Sequence, residues 1–118
     1  MIEIDLPFPP SVNHYYRHVG RRTLISREGR RYRERVTAAL AALGLRPMAG
    51  PLAVEVHVFP PDRRRRDLDN TQKALLDALQ HAGVYGDDSQ IDRLTIERGP
   101  PVPGGRAVVR IEAVGTDA

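Results

Sequence analysis

A chain of 118 residues is long enough to bury a real core but too short for two domains, so residues 1–118 are expected to form one domain. Cysteine is absent, which excludes a disulfide framework and any thiolate metal site. The net charge of +3 hides an asymmetry: eight arginines against only Glu28 and Glu34 lie between Arg17 and Arg35, and Arg63–Arg66 add a second block. Such uneven positive charge points to a polyanionic partner, with nucleic acid ahead of a membrane surface because no strongly apolar basic helix accompanies it.

Ile2, Ile4 and Leu6 alternate with Glu3 and Asp5, which predicts a half-buried strand ended by Pro7, Pro9 and Pro10. An irregular segment follows to Ser26, with Gly20 at a tight turn. Ser26 is placed to cap a helix in which Tyr32, Val36, Ala39, Leu40 and Leu43 recur at helical spacing, and Gly44 ends it. Leu52, Val54, Val56 and Val58 predict a second strand, stopped by Pro60-Pro61. A second helix starts near Asp69, presents Leu75, Leu79 and Ala82 on one side, and closes at Gly83. Strands are expected over Ile91–Arg98 and Ala107–Val114, joined as a hairpin through GPPVPGG, and the terminal GTDA reads as a frayed tail. The order β-α-β-α-β-β is that of an α+β domain, with two main helices packed on a small mixed sheet.

The stretch RRRRDLDNTQKALLDAL, Arg63 to Leu79, concentrates the chemistry. Asp67 and Asp69 are spaced i,i+2, so they share a side only on extended backbone; on a helix they would lie roughly 200° apart. The prolines before them and the helix after them make an extended conformation the expected one. A second acidic pair, Asp87-Asp88, lies in the loop after the helix. If that loop returns toward Asp67 and Asp69, three or four carboxylates share a site, and with oxygen-only ligands the fitting ion is Mg²⁺, with Mn²⁺ as a substitute. Lys73, the one lysine, falls near the positive end of the helix dipole, where an adjacent acidic site offsets the cost. There its ammonium can stabilise charge on a reacting phosphate.

Each residue also has an ordinary structural explanation. Asp69 with Gln72 three positions on has the form of a capping box. Asp77 is placed to pair with Lys73 at i,i+4, and Asp87-Asp88 after Gly86 can be plain turn residues. His14, His18, His57 and His81 lack ligand spacing. Tyr15-Tyr16 beside Arg17 can stack on bases or cover a sheet edge. The candidate nucleic-acid contacts are Arg63, Arg64, Arg65, Arg66, Asn70, Asn13, Tyr16, Arg17, Arg21 and Arg22.

At these residues the chain resembles the RusA family of Holliday junction resolvases. The likeness covers LPFPPSVNHYYRH, PDRRRRDLDNTQKALLDAL and AGVYGDDSQI in that order and at family spacing; the central block is the most specific. It implies a homodimeric, Mg²⁺-dependent endonuclease that resolves four-way DNA junctions by paired symmetric cuts. Position by position, the family's metal-binding aspartates fall on Asp67, Asp69 and Asp88, its neighbouring acid on Asp87, and its active-site lysine on Lys73. Readings of other classes are a non-catalytic junction-binding module that uses the arginines alone and, more weakly, a phosphohydrolase of small nucleotides. No basic n-region with an apolar h-region opens the chain, and no run approaches membrane-spanning length. The expected location is therefore the cytoplasm, at the nucleoid when bound to DNA, with no membrane partner.

Overall fold

A computed structural model describes residues 1–115; residues 116–118, the rest of the segment read as a frayed tail, lie outside the described residues. The elements in chain order are β1 (Ile2–Leu6), the single helical turn α1 (Val12–Tyr15), β2 (Tyr16–Val19), β3 (Arg22–Ile25), α2 (Arg27–Ala41), β4 (Leu52–Phe59), α3 (Asp69–His81), β5 (Ile91–Arg98) and β6 (Arg106–Ala113). The main sheet has the order β1-β6-β4-β5, and β2-β3 form a separate antiparallel pair. β6 runs antiparallel to both β1 and β4, whereas β5 runs parallel to β4. The fold is the expected mixed α+β architecture. Among the described residues no helix is long and apolar enough to cross a membrane.

β5 and β6 are not a hairpin. β4 lies between them, because its four inward residues Leu52, Val54, Val56 and Val58 are all buried and need neighbours on both sides. The proline-rich connection instead crosses the end of β4, where the Gly99 amide donates to the Val58 carbonyl and the Val102 amide to the Pro60 carbonyl, each at 2.9 Å. A parallel β4–α3–β5 unit follows from this order. In such a crossover the helix runs back along the sheet. The N-terminus of α3 therefore sits at the finishing end of β4, and its C-terminus sits where β5 begins. That direction decides the geometry of the site.

The core lies between the sheet and the helices. Tyr32, Val36 and Leu40 of α2 and Ala74, Leu75, Ala78 and Leu79 of α3 meet Ile4, Leu6, Val54, Val56, Val109 and Ile111. Ala39 and Leu43, expected in the inward stripe, are exposed. The seam follows the i,i+4 row through Tyr32, Val36 and Leu40, and α2 ends at Ala41, before Leu43. The segment read as irregular, from Ser11 to Ser26, holds α1 and the β2-β3 hairpin, with Gly20 at the turn in the left-handed region, φ 61°.

Ser26 caps α2 as the sequence predicts, its hydroxyl accepting from the Gly29 amide at 2.9 Å while donating to the Tyr15 carbonyl at 2.9 Å. Gly29 has a packing reason to lack a side chain: a Cβ there would lie 2.4 Å from the Tyr15 carbonyl oxygen. The cap and the glycine together fasten α1 against the start of α2, and α1 carries one wall of the cleft described next.

Candidate active site and nucleic-acid interface

Two clefts open on either side of the Arg63–Leu68 loop. One, of about 810 Å³, lies between the loop and the helices α1 and α2, and Asn13, Arg31, Arg35, Arg64, Asp67 and Asn70 are among its lining residues. The other, of about 780 Å³, is lined by Arg63, Arg65, Asp67, Asp69 and Arg98 among others. Arg64, Arg65, Arg66 and Asp67 face both. Six of the ten predicted contact residues (Arg63 to Arg66, Asn70 and Asn13) thus gather with Asp67 and Asp69. Tyr16, Arg17, Arg21 and Arg22 do not line these clefts; they lie on or at the turn of the β2-β3 hairpin, the arginines exposed and Tyr16 half-buried against Tyr15. Sequence reading missed Arg31 and Arg35 as cleft residues. Their i,i+4 spacing on α2 was the available signal, since it puts both on one helix face.

The arginines of the loop are not equivalent. Arg66 is held inside the protein: its guanidinium donates to the Asp62 carboxylate at 2.8 Å and lies over the Phe8 ring, 5.6 Å from the centroid. Asp62 also accepts from the Arg64 amide at 2.9 Å, so it folds the loop back on itself. The Arg66 hydrogen bond, followed by the Arg64 amide, lowers the Asp62 carboxyl below its usual range. Arg63, Arg64 and Arg65 are exposed and make no ion pair among the described residues. Their charge is available to a phosphate backbone, and that of Arg66 is largely committed.

Asp67, Asp69 and Lys73 are likewise exposed and outside every ion pair of the described residues. The expected Lys73–Asp77 pair does not form. Asp77 instead accepts from the Arg33 guanidinium at 2.7 Å and from the Tyr15 hydroxyl. A semi-buried guanidinium makes a stronger partner than a solvated ammonium, so Arg33 wins and Lys73 is left free. Burial, then the Asp77 hydrogen bond, raises the Tyr15 hydroxyl above the usual tyrosine range, so it stays a neutral donor. Tyr15 is fully buried and cannot stack on a base.

Two local expectations are corrected. Leu68 is helical, φ −61° and ψ −38°, so the backbone between Asp67 and Asp69 is not extended. The helical turn begins early because the Asp67 carbonyl already accepts from the Asn70 amide at 3.2 Å. Asp67 and Asp69 share a cleft through the bend of the loop instead. Nor is Asp69 a cap: it is the first helical residue, after Leu68, and makes no capping hydrogen bond. Lys73 is then the fifth residue of α3, just beyond the first turn, where the helix dipole is weaker than expected.

The capping box occurs at the other acidic pair. Asp87 precedes the 3₁₀ turn Asp88–Gln90; its carboxylate accepts from the Ser89 amide at 2.9 Å, and the Gln90 side chain accepts from the Asp87 amide at 3.0 Å. The Ser89 amide, then the Ser89 hydroxyl, lowers the Asp87 carboxyl below its usual range. Gln90 also donates to the Met48 and Gly50 carbonyls, at 3.0 and 2.9 Å. The amide of Asp88 donates to Gln80 on the last turn of α3, at 3.0 Å, and Asp88 takes part in no ion pair among the described residues.

The return of this loop toward Asp67 and Asp69 does not occur within one chain. Asp69 opens α3 and Gln80 nearly ends it, which separates them by about 16 Å at about 1.5 Å per residue. Among the described residues no three or more His, Asp or Glu side chains are grouped to hold a metal ion. A divalent ion needs several oxygens at once. Asp67 and Asp69 lie at one end of the helix and Asp88 at the other, so a single chain does not bring the three expected carboxylates around one ion.

Residues 7–112 match the family described as Endodeoxyribonuclease RusA. The chain is 45% identical to the crossover junction endodeoxyribonuclease RusA of Shigella sonnei, across 97% of this chain and 96% of that one. Identity to the enzyme of the same name from Escherichia coli K12 is 43%, with the same coverage. Identity to its counterpart in Enterobacteria phage 82 is 44%, again across 97% and 96%.

Proposed function

This chain belongs to the RusA endodeoxyribonuclease family, and from that premise we propose how its site serves a crossover-junction endodeoxyribonuclease. The substrate is a four-way DNA junction, resolved by paired symmetric cuts, and the cofactor is Mg²⁺, with Mn²⁺ as a substitute. One observation carries this reading: carboxylates without an ion-pair partner among the described residues, Asp67 and Asp69, lie in clefts walled by arginines. A protein that only bound DNA would have no use for bare carboxylates facing the phosphates, because they repel the backbone that the arginines attract.

The roles follow from position. Arg63, Arg64 and Arg65, with Arg31 and Arg35 across the cleft, bind the phosphate backbone and orient it. Asn13 and Asn70 offer neutral hydrogen bonds on the same walls. Lys73 stabilises the charge that develops on the attacked phosphate. Asp67, Asp69 and Asp88, drawn from both chains of the homodimer because one chain keeps them apart, would hold the ion, which when bound would neutralise phosphate charge and lower the pKa of an attacking water. Asp87 shapes the loop that presents Asp88. The hairpin residues Tyr16, Arg17, Arg21 and Arg22 extend the basic surface toward a second arm of the junction. The working unit is a homodimer acting in the cytoplasm at the nucleoid, because two matched incisions need two sites related by a two-fold axis.

A synthetic four-way junction, incubated with and without Mg²⁺, tests the reading. Symmetric nicked duplexes that appear only with the metal support it. A junction that is bound and shifted but never cut, under either condition, overturns it.

A further inference from the structure

Resting on the reading above, we propose that the cleft between the Arg63–Leu68 loop and α2 holds one unpaired nucleotide beside the cut. Glu28 accepts a hydrogen bond there from an amine of its base. Asp67 faces this cleft as well as the one that Asp69 lines, so a strand attacked at that point runs on into it. The volume of about 810 Å³ is that of a small-ligand cleft, which admits a nucleotide and not a double helix.

Glu28 is the residue that calls for a ligand. It lines the cleft with Arg31 and Arg35 of the same helix. The three stand at i, i+3 and i+7, within roughly 60° of one another at about 100° per residue. Glu28 is exposed and makes no ion pair among the described residues, although Arg31 is one turn away. Its place in the first turn of α2 favours a carboxylate, which lets it stand among arginines without pairing. A carboxylate on a wall built for phosphate repels the backbone that its neighbours attract. It serves only a group that donates, and on DNA the donors are base edges: the amines of cytosine, adenine and guanine. Thymine has no amine.

The rest of the cleft fits a base. Arg66 also lines it, and its guanidinium is fixed by the Asp62 carboxylate, at 2.8 Å, and by the Phe8 ring, 5.6 Å from the centroid. Unpaired bases stack on arginine planes as they do on aromatic rings, so a guanidinium held in this way is a stacking platform. Asn13 and Asn70 supply amides that both donate and accept, which suits the remaining polar atoms of the base. Arg31, Arg35, Arg64 and Arg65 are exposed and left for the phosphates on either side. Those contacts hold a strand without regard to its sequence; Glu28 makes the pocket choose.

Short single-stranded oligonucleotides in metal-free buffer read the pocket directly, by fluorescence anisotropy. A deoxycytidine strand should bind the wild-type chain about tenfold tighter than a thymidine strand, the scale of one hydrogen bond to a charged group. Replacing cytosine by 2-pyrimidinone, which lacks only the amine, should lose the same factor. Glu28→Gln should bind all three strands within about twofold, because an amide donates to a carbonyl as readily as it accepts from an amine. Arg31→Ala with Arg35→Ala should weaken all three alike and flatten their salt dependence, while affinity for a short blunt duplex changes little. All three positions are exposed, so these variants keep the fold.

Equal binding of the cytosine and thymine strands by the wild-type chain, or a preference that survives Glu28→Gln, overturns the base contact. No binding of either strand at concentrations where a junction binds overturns the pocket. So does a duplex weakened by the arginine exchange as much as the single strands, since the cleft is then a general phosphate surface. Cutting is a separate measurement. A chain that passes these tests but never cuts a junction with Mg²⁺ sinks the nuclease reading and leaves the pocket; one that cuts but binds both strands alike does the reverse.

Discussion

At the N-terminal end of α3, Asp67 and Asp69 stand exposed among Arg63, Arg64 and Arg65 without an ion-pair partner among the described residues, and Asp62 holds the loop in shape. At the C-terminal end, Asp87 holds the 3₁₀ turn in shape, and its neighbour Asp88 has no ion pair among the described residues. The two loops are built alike. In each, one aspartate accepts the backbone amide two residues on, at 2.9 Å, and the following acids are left for another use. The difference is in the cations: four consecutive arginines run into the first end, and no such run adjoins the second. The first end is therefore the better placed to hold a phosphate backbone, and the second supplies carboxylate.

The sharpest test of that contrast compares the acids themselves. Asp67→Asn, Asp69→Asn and Asp88→Asn should each lower junction cleavage by about a hundredfold or more, the scale of losing a key electrostatic group. Binding should persist, because the arginines are intact and less negative charge faces the phosphates. Asp87→Asn should cut at near wild-type rate, because an amide oxygen can still accept from the Ser89 amide. Initial rates at limiting Mg²⁺ measure all four. If Asp87→Asn collapses and Asp88→Asn does not, their roles at that end are reversed.

Next in size is the division among the cations. Lys73→Ala should slow cutting by about tenfold or more while leaving affinity nearly unchanged, since an ammonium aimed at a reacting phosphate acts mostly in the transition state. Arg64→Ala with Arg65→Ala should do the reverse: weaker binding to every junction sequence and a shallower dependence of affinity on salt. Arg66→Ala should behave as a structural change, lowering thermal stability as well, because its guanidinium is bound to Asp62. A Lys73→Ala protein that fails only to bind would remove the distinction between the two kinds of cation.

Much of this was legible beforehand, for identifiable reasons. Alternation along Leu52–Val58 and the i,i+4 row through Tyr32, Val36 and Leu40 are set by burial, so both appear in the sequence as they do in the fold. The β2-β3 hairpin was not legible, because its four-residue strands are largely exposed and leave no alternating pattern. The false hairpin through GPPVPGG arose because turn chemistry reports that a chain turns, and not what lies between its ends. The candidate site residues stand out in the sequence by type and spacing, but their distance apart does not. That distance follows from β4 and β5 being parallel, which forces α3 to separate the acidic pairs, and strand direction is not written in local pattern.

A smaller effect is expected at Asp77, the acid midway along α3 whose charge is already used. Asp77→Asn should lower stability by about 1 kcal/mol, the usual scale for weakening one charge-assisted hydrogen bond at a partly exposed site. Cleavage should change little, because Asp77 holds α3 to α1 and α2 through Tyr15 and Arg33 and touches neither cleft wall. Urea unfolding beside a junction assay reads both quantities. A cleavage loss matching that of Asp69→Asn, at unchanged stability, would place a third functional acid on the helix.

The smallest effect concerns Asp62, the counterpart of Asp87 at the basic end. Its carboxyl is lowered by the Arg66 guanidinium first and the Arg64 amide second, from an ordinary value of 3.8. A carboxyl lowered on folding stabilises the folded loop above its ordinary value, and that contribution is lost as pH falls through the lowered one. The Arg64 amide should therefore keep its hydrogen-bonded chemical shift as pH falls past 3.8 and lose it only below. Asp62→Asn should abolish the titration while retaining the bond to Arg64, since the amide oxygen still accepts. Its junction affinity should stay close to wild type at neutral pH, because Arg63, Arg64 and Arg65 remain free to meet phosphate. NMR titration of the Arg64 amide in both proteins measures the effect. A wild-type midpoint above 3.8 would mean that Arg66 does not hold the Asp62 charge, and the basic loop would then lack the anchor that makes it comparable to the loop at the other end.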